Sequence, residues 1–164
     1  MTIPTMDRRT DARDVTRVYT ALFNRPVNAQ VLTVAPAYGG TITGSVAAYA
    51  AADGSVQALC VLDLSLSVLF GAALMMIPAE AAREMIRDRQ VEGNIQENLH
   101  EVANVASQLV NRSGQGRLAL HDVYLPAAVA PAEVLQILAN PATRLDLQLT
   151  IEGYGTGMFS LLLR

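Results

Sequence analysis

The sequence contains no tryptophan and no lysine, and aromatic residues make up only 5% of the chain. A hydrophobic core must therefore be built from aliphatic side chains. All 12 basic residues are arginines, they face 15 carboxylates, and no basic cluster exceeds Arg8-Arg9. Nucleic-acid binding, which needs a concentrated basic face, is not expected. The single cysteine, Cys60, excludes an internal disulfide framework. His100 and His121 have no Cys or His at ligand spacing, so no metal site is expected on the chain. Also missing are a G-x-S-x-G elbow, a Walker loop and a dinucleotide fingerprint. Gly39-Gly40 is a bare turn signal. No apolar run is long enough for a membrane span. Leu64 to Ile77 is nearly all apolar but covers 14 residues, and Asp63 blocks its extension toward Ala58. That run reads as the buried helix of a soluble protein. Residues 1–14 are polar and lack the apolar stretch of a secretory signal, which points to the cytoplasm.

What is present is a strongly apolar chain of 164 residues, 51% hydrophobic and 16% charged, of a size for one domain. The single domain spans 1–164, with residues 1–10 expected to be flexible. Thr10 or Asp11 can cap a first helix that carries Val15, Val18, Tyr19, Leu22 and Phe23 on one side and closes at Asn24 and Pro26. Gln30 to Val34 reads as a short strand. Thr41 to Ala50 and Ser55 to Leu62 form a hairpin around Asp53-Gly54. The buried helix from Leu64 follows, and Pro78 opens the next helix, running to about Gln90. Gly93 marks a break. Arg117 to Leu125 reads as a strand ended by Pro126, and Pro131 to Leu138 as a short helix. Leu145, Leu147, Leu149 and Ile151 alternate with Asp146, Gln148, Thr150 and Glu152, the pattern of a half-buried strand. Gly153-Tyr154-Gly155 turns it, and Met158 to Leu163 returns. The fold class is α+β, a two-layer sandwich of an antiparallel-rich sheet packed against long helices. The last strand carries little charge to protect a sheet edge, so a homodimer through that edge or a helix face is an expected partnership.

The stretch from Asn94 to Arg112 separates into two faces when wound as a helix. Ile95, Leu99, Val102, Ala103, Ala106, Leu109 and Val110 form an apolar stripe. Glu97, His100, Glu101, Asn104, Gln108 and Asn111 lie opposite. That outward row is made of acids and amides, with no cation before Arg112 to pair with them. Glu101 and Asn104, three residues apart, project as neighbours. A helix showing such a row is suited to meeting a partner. His100 is most simply a solvated member of the row, and His121-Asp122 a surface pair.

Glu101-Val102-Ala103-Asn104 resembles the E-x-x-N signature of the CheC, CheX and FliY group of chemotaxis phosphatases. The wider pattern is an acidic or Ser residue, the Glu, the Asn and a later Pro; here Glu97, Glu101, Asn104 and Pro126 stand in that order. Glu97 replaces the commoner Asp or Ser, and the 21 residues between Asn104 and Pro126 make the spacer slightly short. The first helix has no second E-x-x-N: Ala21 precedes Asn24, and Arg17 follows Asp14. The chain is thus similar to the single-site, CheX-like form. The resemblance implies hydrolysis of the aspartyl phosphate on a phosphorylated, CheY-like receiver domain in two-component signalling, with Asn104 and Glu101 catalytic and Glu97 and Gln108 contacting the partner. It implies no cofactor on this chain, since Mg²⁺ belongs to the receiver. An amide can accept from and donate to an attacking water at once, so Asn104 suits positioning that water. Glu101 could pair with the receiver's Lys. The same fold also serves as a non-catalytic binding or scaffold module in flagellar-switch and chemotaxis assemblies, which is the alternative.

Overall fold

The computed structural model describes residues 10–36, 44–112 and 116–164. Of the leader expected to be flexible over 1–10, residues 1–9 lie outside them, as do the turn at Gly39-Gly40 and the start of the hairpin strand at Thr41; Thr10 is buried and bonded to Leu109. Helix α1 (Ala12–Phe23) begins where Asp11 and Asp14 cap each other: each carboxylate accepts from the other's backbone N–H, at 3.0 and 3.1 Å. It ends at Asn24 in the left-handed region. Strand β1 (Val27–Val31) starts three residues earlier than the apolar pattern suggested, because Val31 and Val34 are exposed and Val27 is the residue buried. Strands β2 (Ser45–Ala50) and β3 (Val56–Leu62) form the expected hairpin around Asp53-Gly54.

Asp63, the residue that stops the apolar run, is the N-cap of α2 (Leu64–Met75) and accepts from the Leu66 N–H at 2.8 Å. Helices α3 (Ala79–Asp88) and α4 (Gly93–Val110) follow, then β4 (Ala119–Tyr124), a short 3₁₀ turn (Ala127–Val129), α5 (Ala132–Ala139), β5 (Thr143–Ile151) and β6 (Gly155–Leu163). All strand pairs are antiparallel, in the order β1-β5-β6-β3-β2-β4. No helix among the described residues is long and apolar enough to cross a membrane.

This order corrects one expectation. β6 lies between β5 and β3, so Met158 to Leu163 is not an edge and needs no charge to protect it. Its low charge reflects burial: Phe159 to Leu163 are all buried. The edge argument for a homodimer through this strand falls. Among the described residues the edges are β1 and β4.

Helices α1, α2 and α4 cover one face of the sheet, and α5 with the 3₁₀ turn packs on the other over β3, β2 and β6. The main core lies under α2 and α4. The scarce aromatics are concentrated there: Tyr19, Phe23, Phe70 and Phe159 pack in stacked, tilted and edge-on pairs with centroids 4.5–6.0 Å apart. α2 is apolar all round because α4, α3, α1 and β6 surround it. Its approach to α4 is close enough that a Cβ on Gly71 would sit 2.8 Å from Ile95 Cγ2. Gly157 on β6 clears the start of α2 in the same way, a Cβ there reaching 2.6 Å from that of Leu66.

Two outcomes follow for stability and reactivity. Gly71→Val should lower stability by about 1–3 kcal/mol through overpacking against Ile95, read as a lowered denaturant midpoint with an unchanged m-value. Cys60 is buried under the helices, and desolvation raises its thiol to about 12. Its folded value lies above its unfolded one, so its contribution to stability is present at neutral pH and falls as pH rises through the alkaline range. At pH 8 an aromatic disulfide reagent should label Cys60 only at the rate of unfolding; rapid labelling of the native protein would contradict this burial.

Candidate functional site

The apolar stripe of α4 is buried as its spacing requires: Ile95, Leu99, Val102, Ala103, Ala106, Leu109 and Val110 all face the core. The helix is held by more than packing. The Tyr49 hydroxyl, itself buried, donates to the Ala103 carbonyl at 2.7 Å, next to Asn104 on the chain. At the C-terminal end the Thr10 hydroxyl donates to the Leu109 carbonyl at 2.6 Å. Arg112 reaches Asp14 at 2.6 Å, and that carboxylate also accepts from Arg17 at 2.8 Å. Arg112, the first cation after the acid-and-amide row, is thus turned toward α1. It does not neutralise the row.

Glu97, His100, Glu101, Asn104 and Gln108 are all exposed on α4. Their side chains are not tied into the hydrogen bonds or ion pairs of the described residues. Glu101 and Asn104 share one stretch of surface, as their spacing requires. Gln108 stands on the same face nearer the helix C-terminus, about 16 Å along the axis from Glu97. Asn111 departs from the row. Its amide donates to the Leu118 carbonyl at 3.0 Å and accepts from the Leu118 N–H at 2.7 Å, closing the return from α4 into β4. That side chain serves the fold.

A groove of about 450 Å³ runs beside this face. Glu97, His100 and Gln96 form its α4 wall, and Val123, Leu125 and Val129 its apolar wall. Pro126, which follows a cis peptide bond after Leu125, therefore ends β4 at the side of α4 that carries Glu97. Glu101 and Asn104 lie outside the groove lining. His121 and Asp122 lie on β4, and no hydrogen bond joins their side chains among the described residues. β4 carries a bulge there, with His121 as the extra residue between the partners of Ala48 and Tyr49, and the Asp122 carboxylate accepts from the Val123 N–H at 2.8 Å. The apolar groove wall was not read from the sequence, because it is assembled from β4 and the 3₁₀ turn. The one available signal is Val123 and Leu125 alternating into the proline. Among the described residues no cluster of His, Cys, Asp or Glu could hold a metal ion.

No protein-family model matches the chain, and no curated protein sequence matches it. Solved structures do share its fold. FliM in the FliM–SpeE complex from H. pylori is similar over 93% of this chain and 80% of that chain, with a TM-score of 0.65 at 13% identity. The H. pylori FliM middle domain is similar over 93% and 84%, with a TM-score of 0.57 at 12% identity. FliY from Thermotoga maritima covers 90% and 81%, with a TM-score of 0.50 at 11% identity. The chain therefore has the fold of the FliM middle domain and FliY, and it has it over nearly its whole length.

The geometry makes one separation testable. Asn111→Ala should cost about 1–3 kcal/mol, since both Leu118 backbone groups lose their partner, whereas Gln108→Ala one turn earlier should change stability by less than about 0.5 kcal/mol. Equal midpoints for the two variants in chemical denaturation would remove Asn111 from its structural role.

Proposed function

We propose that the chain is a protein-binding module of the flagellar-switch and chemotaxis type, which docks a partner through the exposed face of α4. The observation that carries this is the fold it shares with the FliM middle domain over 93% of its length. Two of the H. pylori FliM structures are complexes, one with SpeE and one with FliG, which supports a protein-binding role for this chain. The acid-and-amide row supports the choice of face. Glu97, Glu101, Asn104 and Gln108 are exposed and not engaged by the fold, while the opposite side of the helix is pinned along its length. Such a role places the protein in the cytoplasm.

A second reading rests on a specific observation: Glu101 and Asn104 stand exposed side by side, in the spacing that resembles the single-site phosphatases. In that reading the partner is a phosphorylated receiver domain that supplies its own Mg²⁺. Asn104 holds the attacking water in line and Glu101 fixes the docking register by an ion pair. The leaving carboxylate needs no acid from this chain, so positioning is the whole task.

One experiment addresses both readings. Receiver domains and flagellar-switch proteins of the same organism are titrated against the chain, and each receiver is phosphorylated with acetyl phosphate and followed with excess Mg²⁺. Glu101→Ala should weaken binding about tenfold or more, as expected for loss of a charge-assisted contact, and salt should weaken the wild type more than this variant. A variant with Glu97, Glu101, Asn104 and Gln108 all changed to Ala that still binds like the wild type would overturn the docking face. For the phosphatase reading, Asn104→Ala should keep the binding and lose about 10² of the acceleration. A receiver that binds but decays at one rate with wild type and Asn104→Ala leaves the binding module alone standing. His100→Ala, on the rim of the face, should change little.

A further inference from the structure

The two sheet edges are treated differently by the sequence. At β4 the bulge and the Asp122 carboxylate, which occupies the Val123 N–H, interrupt the row that a new strand would need. Among the described residues β1 has no such protection. The Leu32 N–H donates to the Asp146 carbonyl and the Glu152 N–H to the Pro26 carbonyl, so the even-numbered residues 26–32 face β5. The odd-numbered residues turn their N–H and C=O groups outward. The Val27 N–H is taken by the Thr20 hydroxyl of α1 at 3.1 Å, which leaves those of Ala29 and Val31 on the open edge. The strand Val-Asn-Ala-Gln-Val contains no charge, proline or bulge, and Val31 is 59% exposed.

α1 runs beside this edge, and between them lies a second groove of about 460 Å³. Ala12, Ala21, Ala29 and Thr16 give it a small, mainly apolar lining, and Arg13 and Arg17 stand in its α1 wall. Both arginines are exposed; Arg17 shares the Asp14 carboxylate with Arg112, so that single acid is divided between two guanidinium groups. Asp14 itself is buried, so what α1 shows toward the groove is cationic.

We infer that the α1–β1 groove receives an extended acidic segment of a partner protein, added as an antiparallel or parallel strand to β1, with small apolar side chains in the groove and carboxylates at Arg13 and Arg17. Main-chain hydrogen bonds from Ala29 and Val31 give the pairing, and the arginines select the charge. A second copy of this chain is disfavoured as the occupant. The β1 strand of another copy, Val-Asn-Ala-Gln-Val, brings no carboxylate to Arg13 and Arg17, and the β4 edge is blocked. The groove lies at the opposite edge of the sheet from β4, and none of its lining residues belongs to the exposed α4 row, so it does not rest on the α4 docking face.

The test uses the full chain and a fluorescein-labelled peptide, Val-Thr-Glu-Thr-Ala-Thr-Glu-Thr-Val, whose alternate residues can face the groove, with a Lys-for-Glu version as control. The Glu peptide should bind by fluorescence anisotropy and slow amide exchange at Ala29 and Val31. The Lys peptide should bind at least about tenfold more weakly, and Arg13→Glu should weaken the Glu peptide by a similar factor. Ala29→Pro removes an outward N–H that no internal ladder bond uses, so the variant should fold and should no longer protect Val31. If that variant fails to fold, Arg13→Glu and the Lys peptide still decide the matter. Equal binding of both peptides, no binding of the Glu peptide, or a dimer of the chain that Ala29→Pro abolishes would each overturn the proposal.

Discussion

The burial of one side of α4 is the constraint on which the rest of the site depends. Seven apolar residues on an 18-residue helix are driven onto the sheet and α2, and that fixes which residues must face water. Packing alone leaves a helix free to slide or rotate by a fraction of a turn. The Tyr49 hydroxyl removes that freedom near the middle, because a buried donor that loses its acceptor carries the cost of desolvation. Gly71 sets the distance: with a side chain there, α2 could not lie against Ile95. The exposed row of α4 is thus held in place by atoms on its far side. Substitutions in the row should therefore leave the core untouched.

Charge is used sparingly and mostly for joining elements. Asp14 is buried, and its two oxygens are divided between the cap of α1 and the guanidinium groups of Arg17 and Arg112. A buried carboxylate with this many donors is satisfied. Removing one partner would leave a desolvated charge, which is far more costly than a broken surface pair. On the other face Asp146 does related work. It accepts from Arg144 and from the Ser160 hydroxyl at 2.6 Å, and Arg144 reaches on to the Pro36 carbonyl at 3.0 Å, joining the segment after β1 to β5 and β6. The low overall charge reflects a molecule with two covered sheet faces, which leaves little surface strand to decorate.

Much of the fold was legible because its signals are local. The alternation over Leu145 to Ile151, the turn at Asp53-Gly54, the buried helix that starts at Leu64 and the stripe of α4 each follow from signals within one element, and each is present. The same holds for the exposure of Glu101 and Asn104. What was misjudged depends on order in the sheet, which no single segment encodes. A low-charge strand such as Met158 to Leu163 looks the same whether it is an unprotected edge or a buried neighbour of two strands. The start of β1 was displaced because Val31 and Val34 are apolar yet exposed, so hydrophobicity marked the wrong residues. Asn111 belonged to the polar row by period, but its side chain is bound to Leu118, a contact set by the loop after the helix. The groove walls at both edges are likewise products of tertiary arrangement.

A binding module and a phosphatase on this scaffold would differ by very little in structure, and the reason is physical. If the partner supplies the metal, the cation and the labile phosphoryl bond, the chain needs only a carboxylate and an amide at fixed separation on a surface that does not yield. The pinned helix already provides that rigidity for docking alone. Hydrolysis then requires one further condition, that the amide of Asn104 reach the line of attack when Glu101 is paired. A shift of about 1 Å in the docked pose is enough to lose it, since misplacement on that scale can cost about 10² in rate. On such a scaffold the core that holds the helix would be the same for either role, and hydrolysis would turn on the register of one exposed pair.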